Sequence, residues 1–146
     1  MQRALAMTLT GPLAAVLLAI ALLMTGSGLP SAAEPWEEKL VQSGWTKLPN
    51  LASYGDSTLY SDHGFMLYLA PGGRSFTFLS RKGAIGIVAT LESEQDGVLC
   101  FKGDSFPSGR GCRTFWRKDD RLMGVESPTG LPVAVFSVVK GNVEKL

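Results

Sequence analysis

The 146-residue sequence predicts an all-β domain, a small antiparallel meander that closes into a barrel. Three observations predict it: apolar and polar residues alternate in successive short runs, turn-forming residues bound each run, and no connection between runs is long enough for a helical crossover. Tight connections force neighbouring strands to be antiparallel. Because an open meander leaves exposed sheet edges, we expect a closed barrel, with a two-sheet sandwich as the alternative.

Residues 1–33 have the features of an export signal. Arg3 precedes an uncharged apolar run at 13–24, a Gly/Pro-rich segment follows, and small residues at 31–33 suit signal peptidase. Cleavage leaves a single domain, residues 34–146, in the periplasm or outside the cell. The alternative is an uncleaved inner-membrane anchor, because the charge-free stretch is long enough to span a bilayer.

The charges of the chain are balanced. Lys and Arg number 14, Asp and Glu number 13, and Arg3 is the one charged residue of the signal. Binding to a phosphate backbone needs a basic excess, and so does attraction to an anionic membrane. We therefore expect no nucleic-acid partner and, after signal cleavage, no membrane association.

A short helix is expected directly after the signal, at residues 34–42. Trp36 and Leu40 lie about one turn apart, with Val41 beside them, so these side chains predict a packing face. We expect the helix to cover an open end of the sheet. Residues 44–60, which follow it, carry only a weak strand pattern.

The strands are predicted by alternation or by short apolar runs. They lie at residues 65–70, 74–80, 84–92, 98–101, 113–116, 122–126 and 132–139. The last is the most continuous apolar run of the domain. We expect it to be buried on both faces or to lie between two other strands.

The two cysteines lie on neighbouring predicted strands. A hairpin that folds back around Phe106 sets Cys100 opposite Cys112, and opposed residues of an antiparallel pair are close enough for a disulfide. An oxidising compartment favours that bond. The alternatives are a redox pair or a metal site, but the spacing is not Cys-x-x-Cys, and the single histidine, His63, does not complete four zinc ligands.

No residue pattern indicates catalysis. Ser61, Asp62 and His63 are adjacent, whereas a nucleophile, its base and the acid that orients the base must touch in series. The acidic pairs at 37–38 and 119–120 begin a helix and occupy a turn, where water surrounds them. We therefore predict a non-enzyme with no catalytic residue, no metal and no cofactor.

Basic and aromatic side chains around the cysteine hairpin predict a contact surface made of Arg110, Arg113, Phe115, Trp116 and Arg117. Arginine beside an exposed aromatic ring suits contact with a protein or a glycan. The expected partner is therefore a protein or glycan of the cell envelope. The alternative is that these are ordinary solvent-facing positions of alternating strands.

Several motifs resemble a group of short exported proteins of unknown function in Gram-negative bacteria. They are Tyr68-Leu69-Ala70-Pro71-Gly72-Gly73, Leu99-Cys100-Phe101, Cys112, and Val139-Lys140-Gly141-Asn142. The resemblance runs from Gly64 to the end of the chain. It departs at 86–88, where the group has Gly-x-Trp, and at Arg113, where the group has an aromatic residue. It implies a β-rich periplasmic domain and brings no catalytic residue.

Three functions are compatible with these features. The first is a non-enzymatic periplasmic binding or envelope-associated module, with its contact surface near the cysteine hairpin. The second is an inhibitor of an exported cell-wall hydrolase, whose cleft is plugged by loop 103–111. The third is a lipocalin-like carrier of a small ligand, in which small residues line a hollow: Ala84, Gly86, Ala89 and Ala134.

Overall fold

The structure, a computed structural model, describes residues 33–79 and 87–145. Within them a helix, α1, precedes nine strands, and short 3₁₀ turns lie at Ala52–Tyr54 and Pro71–Gly73. The elements are α1 (Pro35–Gln42), β1 (Thr46–Lys47), β2 (Ser57–Ser61), β3 (Met66–Leu69), β4 (Ser75–Leu79), β5 (Ile87–Gln95), β6 (Val98–Gly103), β7 (Arg110–Lys118), β8 (Arg121–Glu126) and β9 (Pro132–Lys140). The first three residues of the strand predicted at 84–92 lie outside the described residues.

Strands β2 to β9 form a closed antiparallel barrel of eight strands. Each pairs with the next along the chain, and β9 pairs with β2 through partners such as Thr58 and Val139, which closes the cylinder. Strand β1 extends the sheet beside the last part of β7, where Lys47 faces Trp116. The predicted antiparallel meander and its closure into a barrel are confirmed, and the strands do not form the alternative two-sheet sandwich.

Connections alternate between the two ends of the barrel. We call the end that carries the connections at 62–65, 104–109 and 127–131 the rim end, and the opposite end the plug end. At the plug end, residues 48–56 lie across the opening, and Leu51, only 2% exposed, joins the interior cluster. The backbone N–H of Leu48 donates to the carbonyl of Phe115 at 2.8 Å, so this segment is fixed to the barrel wall.

Apolar side chains fill much of the barrel interior. Because side chains alternate across a strand, every second residue points inward. The buried inward residues are Leu59, Leu67, Leu69, Ala89, Leu91, Leu99, Phe101, Phe115, Leu122, Ala134 and Phe136. Ring contacts such as Phe76 to Phe101, with centroids 5.0 Å apart, fix their packing.

Helix α1 packs against the outer wall of the barrel and not over an end. Trp36 meets Trp116 edge to face with ring centroids 6.1 Å apart, and Leu40 packs on the same outward cluster, which includes Met123. Val41, expected on the packing face, is 61% exposed. The predicted position is wrong because outward apolar side chains of β7 and β8 need cover, whereas segment 48–56 already closes the end.

Strand β9 lies between β8 and β2, as predicted, and only its inner face is fully buried. Ala134 and Phe136 point inward and are nearly inaccessible, while Val139 is 43% exposed on the outer wall. On the same outer wall Val135 is half-buried against the cluster under α1. A continuous apolar run therefore does not require full burial of both faces here.

Cys100 and Cys112 form a disulfide across β6 and β7, which confirms the predicted pairing. They are directly opposed in the register, with Cα atoms 4.0 Å apart, and both point to the outer side of the wall. The bond fixes the base of the 104–109 connection. Such bonds are typical of proteins outside the reducing cytoplasm.

Candidate functional site

A cavity of about 290 Å³ occupies the rim-end half of the barrel. Among the described residues, its walls come from six strands and from the 62–65 and 104–109 connections, and they are mostly aromatic or aliphatic. The lining residues are Phe65, Leu67, Phe76, Phe78, Ile87, Asp104, Ser105, Phe106, Pro107, Arg113, Phe115, Gly124, Val133 and Phe136. An apolar hollow with a few polar groups is the usual form of a small-molecule site.

The hollow is bordered by one inward position that carries no side chain, Gly124 on β8. Gly124 points inward between Phe115 and Phe136, and a Cβ built there would meet those rings at 3.5 and 3.8 Å, which is ordinary contact. Any longer side chain at this position would extend into the cavity. The pairing of β8 with β9 shifts between Gly124 and Val125, and this bulge turns Val133 towards the cavity beside Ala134.

The 104–109 connection folds inward over the rim. Gly103 N–H donates to the carbonyl of Gly109 at 3.0 Å, and Gly109 N–H donates to that of Phe106 at 2.8 Å. The Phe106 ring lies over Gly111, where a Cβ would be 3.1 Å from its Cγ, and its edge approaches Phe76. The absence of a side chain at residue 111 therefore permits Phe106 to cover part of the cavity.

Arg113 is the charged side chain that reaches farthest into this apolar region. It shares the inward side of β7 with Phe115, and its side chain is 19% exposed. Nη1 donates to the carbonyl of Cys112 at 2.8 Å, Glu126 Oε1 lies 3.7 Å from Nη1, and the guanidinium carbon lies 5.4 Å from the centre of the Phe106 ring. Burial lowers the pKa of Arg113, and the nearby Glu126 charge only partly opposes that shift.

Two other polar groups border the cavity. The Ser105 hydroxyl is shielded from solvent and makes no hydrogen bond. Asp104, next to it, is exposed, so water solvates its carboxylate. A buried hydroxyl without a partner costs free energy, which a suitable ligand atom would recover.

The five residues predicted to form a contact surface do not share one face. Arg110 is exposed and pairs with Glu92 at 2.7 Å, and Arg117 is exposed near the plug end. Phe115 is 6% exposed inside the barrel, and Trp116 is 1% exposed beneath α1. The aromatic part of the predicted surface is therefore wrong, because the interior covers one ring and the helix covers the other.

Two of the four small residues expected to line a hollow, Ala89 and Ala134, are buried in the core cluster and are not among the described lining residues of this cavity. Ala84 and Gly86 lie outside the described residues. Sequence reasoning missed the cavity walls, which come from phenylalanines on separate strands. One signal was present: Arg113 is two residues from Phe115, so the two must point to the same side of β7.

Ser61, Asp62 and His63 form a turn at the rim end. The Ser61 hydroxyl accepts a bond from the backbone N–H of His63 at 3.0 Å, and Asp62 Oδ1 accepts one from the N–H of Val135 at 3.2 Å. The His63 ring points to solvent, with its side chain 67% exposed. These contacts stabilise a turn and do not align a nucleophile with a base.

Residues 33–79 and 87–145 contain no cluster of three His, Cys, Asp or Glu side chains suited to a metal ion. No helix in these two ranges is long and apolar enough to cross a membrane. In comparisons with known proteins, no family model, no curated protein and no solved structure matches this chain.

Proposed function

We propose that this protein binds a small, mostly apolar molecule in the rim-end cavity and carries it outside the cytoplasm. The observation that supports this proposal best is the cavity of about 290 Å³ inside an otherwise filled barrel. Protein interiors pack as densely as organic crystals, so a hollow of this size is unusual in a small domain that needs its core for stability. A bound ligand would explain why the barrel interior keeps this cavity instead of filling it with side chains.

The volume limits the ligand to a small molecule. A water molecule takes up about 30 Å³ in the liquid, so the cavity accommodates roughly ten groups of that size. The volume is near the lower end of the roughly 300–1,000 Å³ usual for ligand pockets. A short alkyl chain or a bicyclic aromatic ring fits this limit, whereas a long-chain lipid or a peptide does not.

An exported location supports the carrier role. The apolar run and small residues of 1–33 indicate a cleavable signal, the disulfide is typical of an oxidising compartment, and the resemblance described above is to periplasmic proteins. We place the protein in the periplasm. There it acts as a binding protein and not as an enzyme.

Occlusion of the cavity tests the proposal. Gly124→Leu places a side chain inside the hollow without backbone strain, since Gly124 is outside the left-handed region and a Cβ fits there. We expect octanol and naphthalene to bind the wild type in calorimetric titrations and Gly124→Leu to abolish that binding. Val139→Leu, which enlarges a side chain on the outer wall, is the matched control and should bind normally.

The location of the ligand is tested independently of any variant. Nuclear Overhauser contacts from bound octanol should reach Phe65 and Phe136, which line the cavity. Two results would overturn the proposal: no binding of either probe up to its solubility, or a folded Gly124→Leu protein that binds as tightly as the wild type. Contacts confined to other parts of the surface would contradict it as well.

A further inference from the structure

This inference rests on the proposed function and concerns the head group of the ligand. The guanidinium of Arg113 has unused hydrogen-bonding capacity. A guanidinium carries five N–H donors in a planar fork. Among the described residues, one of them has a hydrogen-bond partner, the carbonyl of Cys112, and the carboxylate oxygen of Glu126, at 3.7 Å, is beyond hydrogen-bond distance. Most of the fork is therefore available to a molecule in the cavity.

Ser105 adds a second donor to the same region. Ser105 is one of the residues that line the cavity, and its hydroxyl is buried without a hydrogen-bond partner among the described residues. A hydroxyl of this kind can donate to an anionic oxygen, and hydrogen bonds to charged acceptors are stronger than bonds to neutral ones. The apolar walls around both groups lower the local dielectric, which strengthens their attraction for an anion.

We propose that the cavity takes an amphipathic carboxylate, with its apolar part between the phenylalanine walls and its carboxylate bound by Arg113 and Ser105. A carboxylate matches the guanidinium fork through two parallel hydrogen bonds. The apolar part lies beside Phe65, Phe136 and Gly124, and the charged residues among the described cavity lining are Arg113 and Asp104.

Two negative charges face this position and must be considered. Asp104 is exposed, so its charge is screened by water, while Glu126 lies beside Arg113 with a side chain that is 41% exposed. The ligand carboxylate thus competes with Glu126 for the guanidinium. This competition is specific to an anionic ligand, since a cationic ligand would instead gain from the carboxylates of Asp104 and Glu126.

The experiment compares three probes with the same chain and different head groups: octanoate, octanol and octylammonium. In calorimetric titrations at neutral pH and low salt, the wild type should bind octanoate most tightly. Arg113→Met should weaken octanoate binding about tenfold to a hundredfold and leave octanol unchanged, and Ser105→Ala should weaken it about threefold to tenfold. Arg121→Met, at an exposed arginine of the plug end, is the matched control and should leave all three affinities unchanged.

A variant that improves binding separates this role from a structural one. Glu126→Gln removes the competing charge, so octanoate should bind about twofold to fivefold more tightly while octanol is unaffected. If Arg113→Met does not fold, Arg113→Lys, which keeps the charge and loses the fork, should still favour octanoate over octanol, but by less.

The outcomes distinguish the two proposals. If no probe binds, the carrier role itself fails. If octanol binds the cavity as tightly as octanoate, or octylammonium binds best, or Arg113→Met keeps the preference for octanoate, the carrier role stands and the carboxylate inference is overturned.

Discussion

On β7 the side chains of Phe115 and Trp116 are neighbours in sequence but lie on opposite sides of the barrel wall. Phe115 packs against Phe101 in the interior, while Trp116 packs under Trp36 and donates from its indole N–H to Thr114 Oγ1 at 2.9 Å. Burial of Trp116 therefore leaves no polar atom of its ring without a partner. This shows that alternation identifies the two faces of a strand, but not whether the outer face is in contact with water.

The pKa of Tyr68, near the plug end, reports on one exposed hydrogen bond. Tyr68 Oη donates to Asp56 Oδ1 at 2.9 Å, and this bond raises the pKa of Tyr68 above its ordinary value of 10.0. Because the folded-state pKa exceeds the unfolded one, the stabilisation is fully present below the ordinary pKa and is lost as pH rises through the folded pKa.

We expect Asp56→Gly to lower the pKa of Tyr68 towards its ordinary value in an NMR titration of the ring. Glycine suits the site because Asp56 has φ +53°, which is left-handed. Asp96→Gly is the control, since Asp96 also has a left-handed backbone, with φ +51°, but lies in the turn between β5 and β6, whereas Tyr68 lies on β3. An unchanged Tyr68 titration in Asp56→Gly would show that the carboxylate is not the cause.

At the scale of elements, segment 48–56 closes one end of the barrel by backbone contact. A Cβ at Gly73 would collide with the carbonyl of Leu51 and lie 2.9 Å from the N of Ala52, so the 71–73 turn and this segment touch without intervening side chains. Leu51 anchors the segment in the core. Such close backbone packing is possible only where a glycine is present.

Substitutions at two adjacent glycines measure the contact between the 71–73 turn and segment 48–56. Gly72 and Gly73 both have left-handed backbones, with φ +81° and +69°, but nothing lies within 4 Å of a Cβ at Gly72. Gly72→Ala should cost about 1–2 kcal/mol of unfolding free energy, from strain alone. Gly73→Ala should cost clearly more in urea denaturation, because the rigid Leu51 backbone must move as well. Equal losses would contradict the close contact.

Segment 48–56, which closes the plug end, was not predictable from the local sequence pattern. Its contacts give the physical reason. Residues 48–56 have no alternation because their backbone, and not a regular set of side chains, contacts the barrel. By contrast, α1 and the cysteine hairpin were predictable, since periodicity and register are local properties. The position of α1 depended on distant residues of β7 and β8, and the prediction for it failed for that reason.

At the scale of the whole molecule, the closing pair β2 and β9 joins residues about eighty positions apart, and the meander with tight turns made closure predictable. The cavity was not predictable, because it depends on the volume that inward side chains leave unfilled. Gly124, which adds no side chain to the cavity, and Val133, which the bulge places on its wall, have no distinctive sequence pattern.

The single disulfide stabilises the barrel by restricting the unfolded chain. Removing it with Cys100→Ser and Cys112→Ser together should lower the unfolding free energy by about 3 kcal/mol, a large share of the roughly 5–15 kcal/mol of a small domain. Urea denaturation measures this loss, and the wild type under reducing conditions is the matching control. A loss below about 1 kcal/mol would mean that the other β6–β7 pairs already restrict this loop.

Because the segment around Leu51 closes the plug end of the barrel, the cavity is closed at that end and does not form a channel through the barrel. Under the proposed carrier role, a ligand enters and leaves through the rim end, so the part that is inserted first leaves last. A recipient of the ligand would then have to approach the rim end, where Phe106 covers part of the cavity.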